Sequence, residues 1–164
     1  MYLYTGDKPS FMQTLGKLDN LETRIDVMCE ISETIRVRVR FSEIDPIQMV
    51  WHGNYVKYME DAREAFGRRY GLGYQLIFDS GYYAPVYDMH LRYMAPATLD
   101  DELDVKITWL DEPGAKICFT YEIWKAGSGD VVLKADTIQL FTTHDGLLET
   151  SEPGFYRHWK ESLK

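Results

Sequence analysis

An α+β domain, in which one long helix is covered by a single, mostly antiparallel sheet, is the fold class this sequence predicts. Three observations predict it. Tyr55, Tyr58, Met59, Ala62, Phe66 and Tyr70 recur at helical spacing after Asn54. One alternating strand precedes that helix, and four strand-like segments follow it. A helix with so broad an apolar surface needs cover on most of its sides, and a strongly curved sheet supplies it.

The elements follow in chain order. Residues 1–33 are weakly patterned and read as an N-terminal extension. Within it, Phe11, Met12, Leu15, Leu18 and Leu21 suit a short amphipathic helix, and Met28 offers a second start. The domain proper takes residues 34–164. Its first strand, residues 34–42, alternates Ile35, Val37, Val39 and Phe41 with Arg36, Arg38 and Arg40. The arginine face is either solvated or a phosphate-attracting stripe. Pro46 has no N–H and restricts Asp45 to extended angles, so the ladder should stop there. Asn54 is a good N-cap for the helix, which Gly71 and Gly73 end. A turn and a short helical piece occupy residues 73–81. Strands at 82–94, 102–110, 116–125 and 131–143 are separated by breaks at Ala95-Pro96, Asp111-Glu112-Pro113-Gly114 and Ala126-Gly127-Ser128-Gly129-Asp130. The segment 116–125 alternates well, with Ile117, Phe119, Tyr121 and Ile123 on one face. Ser151 and Pro153 can start a terminal helix carrying Phe155, Trp159 and Leu163.

Composition narrows the function. The 164 residues carry a formal net charge of −8, which argues against a nucleic-acid binder. Two cysteines, Cys29 and Cys118, fit no zinc spacing and read as buried thiols of a reducing compartment. No apolar run approaches the ~18 residues of a membrane span, and no signal-peptide core opens the chain. A cytoplasmic protein with no membrane partner is expected. His90, His144 and His158 have no partner at metal spacing, so neither a metal nor a cofactor is expected.

The most informative stretch is VRFSEIDPIQMVWHGNYVKYMEDAR, residues 39–63. An acidic side chain, Asp45, sits shortly before a helix start, where free N–H groups favour negative charge. Asp45-Pro46 followed by Val50-Trp51-His52-Gly53-Asn54-Tyr55 resembles the motif of the 4-hydroxybenzoyl-CoA thioesterase family of hotdog-fold proteins. That pattern is an Asp, a turn of small residues, an apolar-aromatic pair, a loop, and Asn-Tyr opening a long helix. The order of elements fits from Ile35 to about Glu149. Gln48 departs from it, standing where the family usually has Gly.

The resemblance implies a single-domain hotdog fold and hydrolysis of an acyl-CoA, or another pantetheine-carried thioester, to free acid and thiol. It also implies a homodimer or homotetramer paired through strand edges, with sites between chains. Thioester hydrolysis needs a group to attack or deliver water and a donor for charge developing on the carbonyl oxygen. Asp45 suits the first as nucleophile or general base. The backbone N–H near His52 and Gly53 suits the second, and the resemblance gives the matching positions these roles. Asp45 and His52 are therefore the candidate catalytic residues. Trp51, Gly53, Asn54, Tyr55 and Glu60 are the candidate substrate-binding residues, although aromatics at this spacing also serve as core and Glu60 also suits a helix ion pair. For coenzyme A phosphates, Arg92 and Lys116 are the candidate cations, because the Asp111-Glu112 turn has the wrong sign.

Two other readings belong to different classes. Hotdog hydratases and dehydratases place His five residues after Asp, whereas Asp45 and His52 are seven apart. A hotdog protein that binds acyl thioesters without turnover is the third reading, and the intact Asp45 argues against it.

Overall fold

The structure, a computed structural model, describes residues 30–163. The amphipathic segment at residues 11–21, Met28 and Cys29 lie outside them. The described elements are β1 (Ser32–Arg38), α1 (Asn54–Tyr70), α2 (Tyr74–Asp79), β2 (Tyr82–Tyr83), β3 (Val86–Tyr93), β4 (Glu102–Leu110), β5 (Lys116–Lys125), β6 (Val131–Leu140), β7 (Thr142–Thr143) and α3 (Gly154–Ser162). Five strands form one sheet in the order β1-β4-β5-β6-β3, every neighbouring pair antiparallel. Strands β2 and β7 pair separately.

Register carries the alternation across the sheet. Ile35 faces Val105, Val105 faces Ile123, Ile123 faces Leu133 and Leu133 faces Tyr93. The next row runs Ile107, Tyr121, Ala135, Leu91. Side chains opposite one another share a face, so these rows make one apolar surface. Helix α1 packs on it against β1 and β4, burying Tyr55, Tyr58, Met59, Ala62 and Phe66. This is the hotdog arrangement expected from the sequence.

Several boundaries differ from expectation. Strand β1 begins at Ser32, inside the stretch read as an extension, because Ser32 and Glu33 pair with Thr108 and Ile107. It ends at Arg38, since Phe41–Glu43 turn as a short 3-10 helix and leave Phe41 exposed. The segment 82–94 divides at Pro85, which cannot donate to a ladder. The segment 131–143 divides at Phe141, whose N–H bonds to Ala115 instead.

The face carrying Arg36 is built of ion pairs. Arg36 forks onto Asp104, with Nε donating to Oδ1 at 2.8 Å and Nη2 to Oδ2 at 3.0 Å. Arg38 donates to Asp100 at 2.8 Å. The acidic turn after β4 has a similar use. Asp111 pairs with Lys160 at 2.9 Å, and the Glu112 carbonyl accepts from the same ammonium. Lys160 also lies over the rings of Tyr156 and Trp109. Trp159 Nε1 donates to the Tyr70 carbonyl at 2.7 Å, satisfying one of the orphan acceptors at the end of α1. Helix α3 thereby ties down the C-terminal end of α1. Cys118 is a buried free thiol, and burial raises its pKa.

Gly67 explains how α1 turns back so tightly. A Cβ on it would lie 2.9 Å from the Gly73 Cα and 3.1 Å from the Leu72 carbonyl oxygen. Gly→Ala in a helix interior ordinarily gains about 1 kcal/mol. Here the overlap is with backbone, and Gly67→Ala is expected to cost about 1–3 kcal/mol instead. Chemical unfolding checks the sign; a variant more stable than the parent would show that this contact yields freely.

Candidate active site

Between Arg38 and α1 the chain builds a small hairpin that carries Asp45. Ile44 and Val50 form an antiparallel bridge. The Asp45 N–H donates to the Met49 carbonyl at 2.9 Å, and the Gln48 N–H donates to the Asp45 carbonyl at 3.0 Å. The loop is thus Pro46-Ile47-Gln48, a three-residue hairpin whose last residue adopts the left-handed conformation, with φ of 65° at Gln48. Glycine suits that position best. Gln48 keeps the turn with its side chain exposed to solvent.

This hairpin fixes the carboxylate. Asp45 Oδ1 accepts the Ile47 N–H at 3.0 Å and the more distant Met49 N–H at 3.4 Å. Asn and Asp commonly cap turns in this way. Oδ2 has no hydrogen-bond partner among the described residues, and Asp45 is half-buried.

Across from it, the chain enters α1 through Trp51, His52 and Gly53. Gly53 holds the cap position, and Asn54 is the first helical residue rather than the N-cap expected from sequence. The reason is a better partner: Asn54 Nδ2 donates to the Glu43 carbonyl at 3.0 Å, within the interior. Among the described residues, the N–H groups of His52 and Gly53 meet no acceptor. The Trp51 ring lies directly over Gly53, where a Cβ would overlap it, and 4.8 Å from the His52 ring. The His52 carbonyl accepts from the Tyr93 hydroxyl at 3.1 Å.

Asp45, His52, Tyr55 and Tyr93 line one cleft of about 380 Å³, together with the apolar side chains of Ile47, Met49, Val50 and Met94. The cleft thus brings Asp45 and His52, which leads into the helix start, onto one cavity with a largely apolar lining. Burial raises the Tyr55 hydroxyl above the ordinary phenol range, although the Ala97 N–H pulls the other way. That hydroxyl therefore stays protonated.

The predicted residues divide in space. Asp45, His52 and Tyr55 share the cleft, and Trp51, Gly53 and Asn54 stand at the helix start beside it. Glu60 lies seven residues beyond Gly53 on α1, pairs with Arg63, and opens onto two other grooves. Arg92 is at the site end of β3, but its neighbours Leu91 and Tyr93 face the helix, so it projects from the outer face. Lys116 pairs with Glu112 at the far end of the ten-residue β5, which spans about 30 Å. Tyr93 was not legible as a site residue, because only the cross-sheet register puts it against His52. Glu43 was also missed, and its position two residues before Asp45 was the available signal.

A sequence model of the thioesterase-like superfamily matches residues 39–154. The acyl-CoA thioester hydrolase of Escherichia coli is 31% identical over 90 residues, 55% of this chain and 67% of that protein. The 4-hydroxybenzoyl-CoA thioesterase of a Pseudomonas species is 24% identical over 121 residues, 70% of this chain and 86% of that protein. The fold is similar to the crystal structure of a 1,4-dihydroxy-2-naphthoyl-CoA thioesterase from Synechocystis. The TM-score is 0.69 at 21% identity, covering 78% of this chain and 94% of that one.

The left-handed Gln48 makes the hairpin testable. Gln48→Gly relieves the backbone, so stability should stay within about 1 kcal/mol of the parent after the entropy of glycine is counted. Gln48→Val places a β-branched side chain at positive φ and should be about 1–3 kcal/mol less stable than the glycine variant. Equal unfolding midpoints for the two would show that the loop adopts another conformation.

Proposed function

Because this chain belongs to the thioesterase-like superfamily, we propose that it hydrolyses a small acyl- or aroyl-CoA to free acid and thiol in the cleft between Asp45 and the start of α1. As a thioester hydrolase it must hold the carbonyl, supply or deliver an oxygen nucleophile, and let the thiol leave. One observation carries the assignment: Asp45 is held through Oδ1 by its own hairpin and lines the same cleft as His52, and among the described residues neither Oδ2 nor the His52 and Gly53 N–H groups have a partner.

In this reading the thioester carbonyl oxygen points at the His52 and Gly53 N–H groups. Negative charge builds on that oxygen as the carbonyl carbon becomes tetrahedral, and each fixed donor of this kind is worth about 3–4 kcal/mol. Asp45 Oδ2 either attacks the carbon and expels the thiolate, leaving an anhydride that water cleaves, or takes a proton from the attacking water. The His52 imidazole flanks this path beside Trp51. Ile47, Met49, Tyr93 and Met94 supply the apolar wall for the acyl group, with Trp51 and Tyr55 at its helix side. Glu60, two turns along α1, would meet only a longer acyl group.

The carrier is coenzyme A in this proposal, another pantetheine thiol being the alternative. Arg92 is the cation we retain for its phosphates, reached over the β3 edge. Lys116, engaged with Glu112 at the far end of the sheet, is the more distant candidate. A homodimer, or a tetramer made of two, belongs to the same proposal. β3 is an edge strand; its last residue Tyr93 and the following Met94 wall the cleft while standing 51% and 60% exposed. A second chain pairing there would cover them. No helix among the described residues is long and apolar enough to cross a membrane.

Asp45→Asn tests the assignment. The amide keeps an oxygen for the Ile47 and Met49 N–H groups, so folding and binding of a non-hydrolysable acyl-CoA analogue should match the parent. It cannot act as nucleophile or base, and turnover of an accepted acyl-CoA should fall by about 10²–10⁴-fold or more. Turnover at the parent rate would make Asp45 a turn residue and overturn the mechanism.

A further inference from the structure

We propose that Glu43, Asn54 and Tyr58 form a positioning unit that sets the gap between the Asp45 carboxylate and the N–H groups at the start of α1. The unit governs the rate of thioester cleavage rather than substrate binding, and in that respect it rests on the reading of the cleft given above.

Glu43 stands two residues before Asp45 and is bound at both its ends. Its carbonyl accepts the Trp51 N–H at 2.9 Å and Asn54 Nδ2 at 3.0 Å. Its carboxylate oxygen Oε2 accepts the Tyr58 hydroxyl at 2.7 Å and the Arg40 N–H at 2.8 Å. Trp51 in turn directly precedes His52 and Gly53. The two halves of the site, carboxylate and donors, are therefore joined through one residue that touches neither substrate nor reacting atoms.

Helix geometry makes the unit rigid. Asn54 and Tyr58 are one turn apart on the same side of α1, 5% and 3% exposed. Buried amide and phenol groups need partners, and both find theirs on Glu43. Burial, and then the Glu43 carboxylate, push the Tyr58 hydroxyl far above the ordinary phenol range. It remains a donor at any working pH. The Tyr58 ring also packs edge-on against Tyr55, which lines the cleft. Loss of the hydroxyl alone would keep that packing and the bonds to the Glu43 carbonyl while freeing the Glu43 carboxylate from the helix, loosening the hairpin. A misplacement of about 1 Å between reacting groups can cost about 10²-fold in rate.

Three variants test the proposal in the full-length protein: Tyr58→Phe, Glu43→Ala and Glu43→Gln. Thiol release from an accepted acyl-CoA is measured alongside amide hydrogen exchange of residues 44–54 and 116–125. Tyr58→Phe and Glu43→Ala should lower kcat by about 10–10²-fold with KM little changed. Both should speed exchange in residues 44–54 while β5 keeps the parent's protection. Glu43→Gln retains one oxygen for Tyr58 and Arg40 and should recover most of the parent's kcat and exchange pattern. Parental kcat in Tyr58→Phe, or exchange in residues 44–54 that does not change, would overturn the proposal. A parent chain that turns over no acyl-CoA would instead remove the thioesterase reading, and the exchange measurement alone would then decide whether the unit holds the hairpin.

Discussion

A single backbone carbonyl, that of Glu43, receives the Trp51 N–H and the Asn54 amide and so joins the hairpin of Asp45 to the first turn of α1. The arrangement of the site depends on this junction. A carboxylate near a helix start would ordinarily be drawn to the free N–H groups and neutralise them. Here the hairpin's own N–H groups take Asp45 Oδ1, and among the described residues no acceptor takes the His52 and Gly53 N–H groups. The fold keeps an acid and a set of donors close without letting them pair.

The rest of the molecule supports that junction unevenly. At the C-terminal end of α1, Trp159 donates to the Tyr70 carbonyl and Lys160 collects Asp111, Glu152 and two aromatic faces. That end is closed. At the N-terminal end, Phe41, Ile47, Trp51, Tyr93 and Met94 are exposed to between 49% and 82%. Large apolar side chains gathered at one end commonly mark a ligand or partner surface. The closed end anchors the helix, and the open end is where substrate and a neighbouring chain are proposed to meet.

Much of this was legible in the residues. Strands β4 and β5 fall at the limits their alternation predicts, because each alternates a fully buried face with a mostly half-buried one. Helix α1 runs from Asn54 to Tyr70 as its stripe and Gly71 require, Gly71 taking φ of 76°. Local pattern failed where a distant partner decides. Asn54 prefers the Glu43 carbonyl to its own helix end, whereas Arg36 stays on a solvated face while forking onto Asp104. Tyr93 reads as one more strand residue until the register from Ile35 across to Leu133 brings it beside His52. Gln48 is intermediate: its oddness was visible as a replaced glycine, but the positive φ that explains it belongs to the three-residue loop.

The most direct test of the central claim is the product formed by the parent chain from a panel of saturated acyl-, aroyl- and enoyl-CoA thioesters. Free thiol and free acid are measured together, alongside the enoyl absorbance. The account predicts thiol and acid released in equal amounts from at least one acyl- or aroyl-CoA, with enoyl double bonds left intact. Water added across an enoyl bond while the thioester survives, or tight binding across the panel with no thiol released, would contradict it.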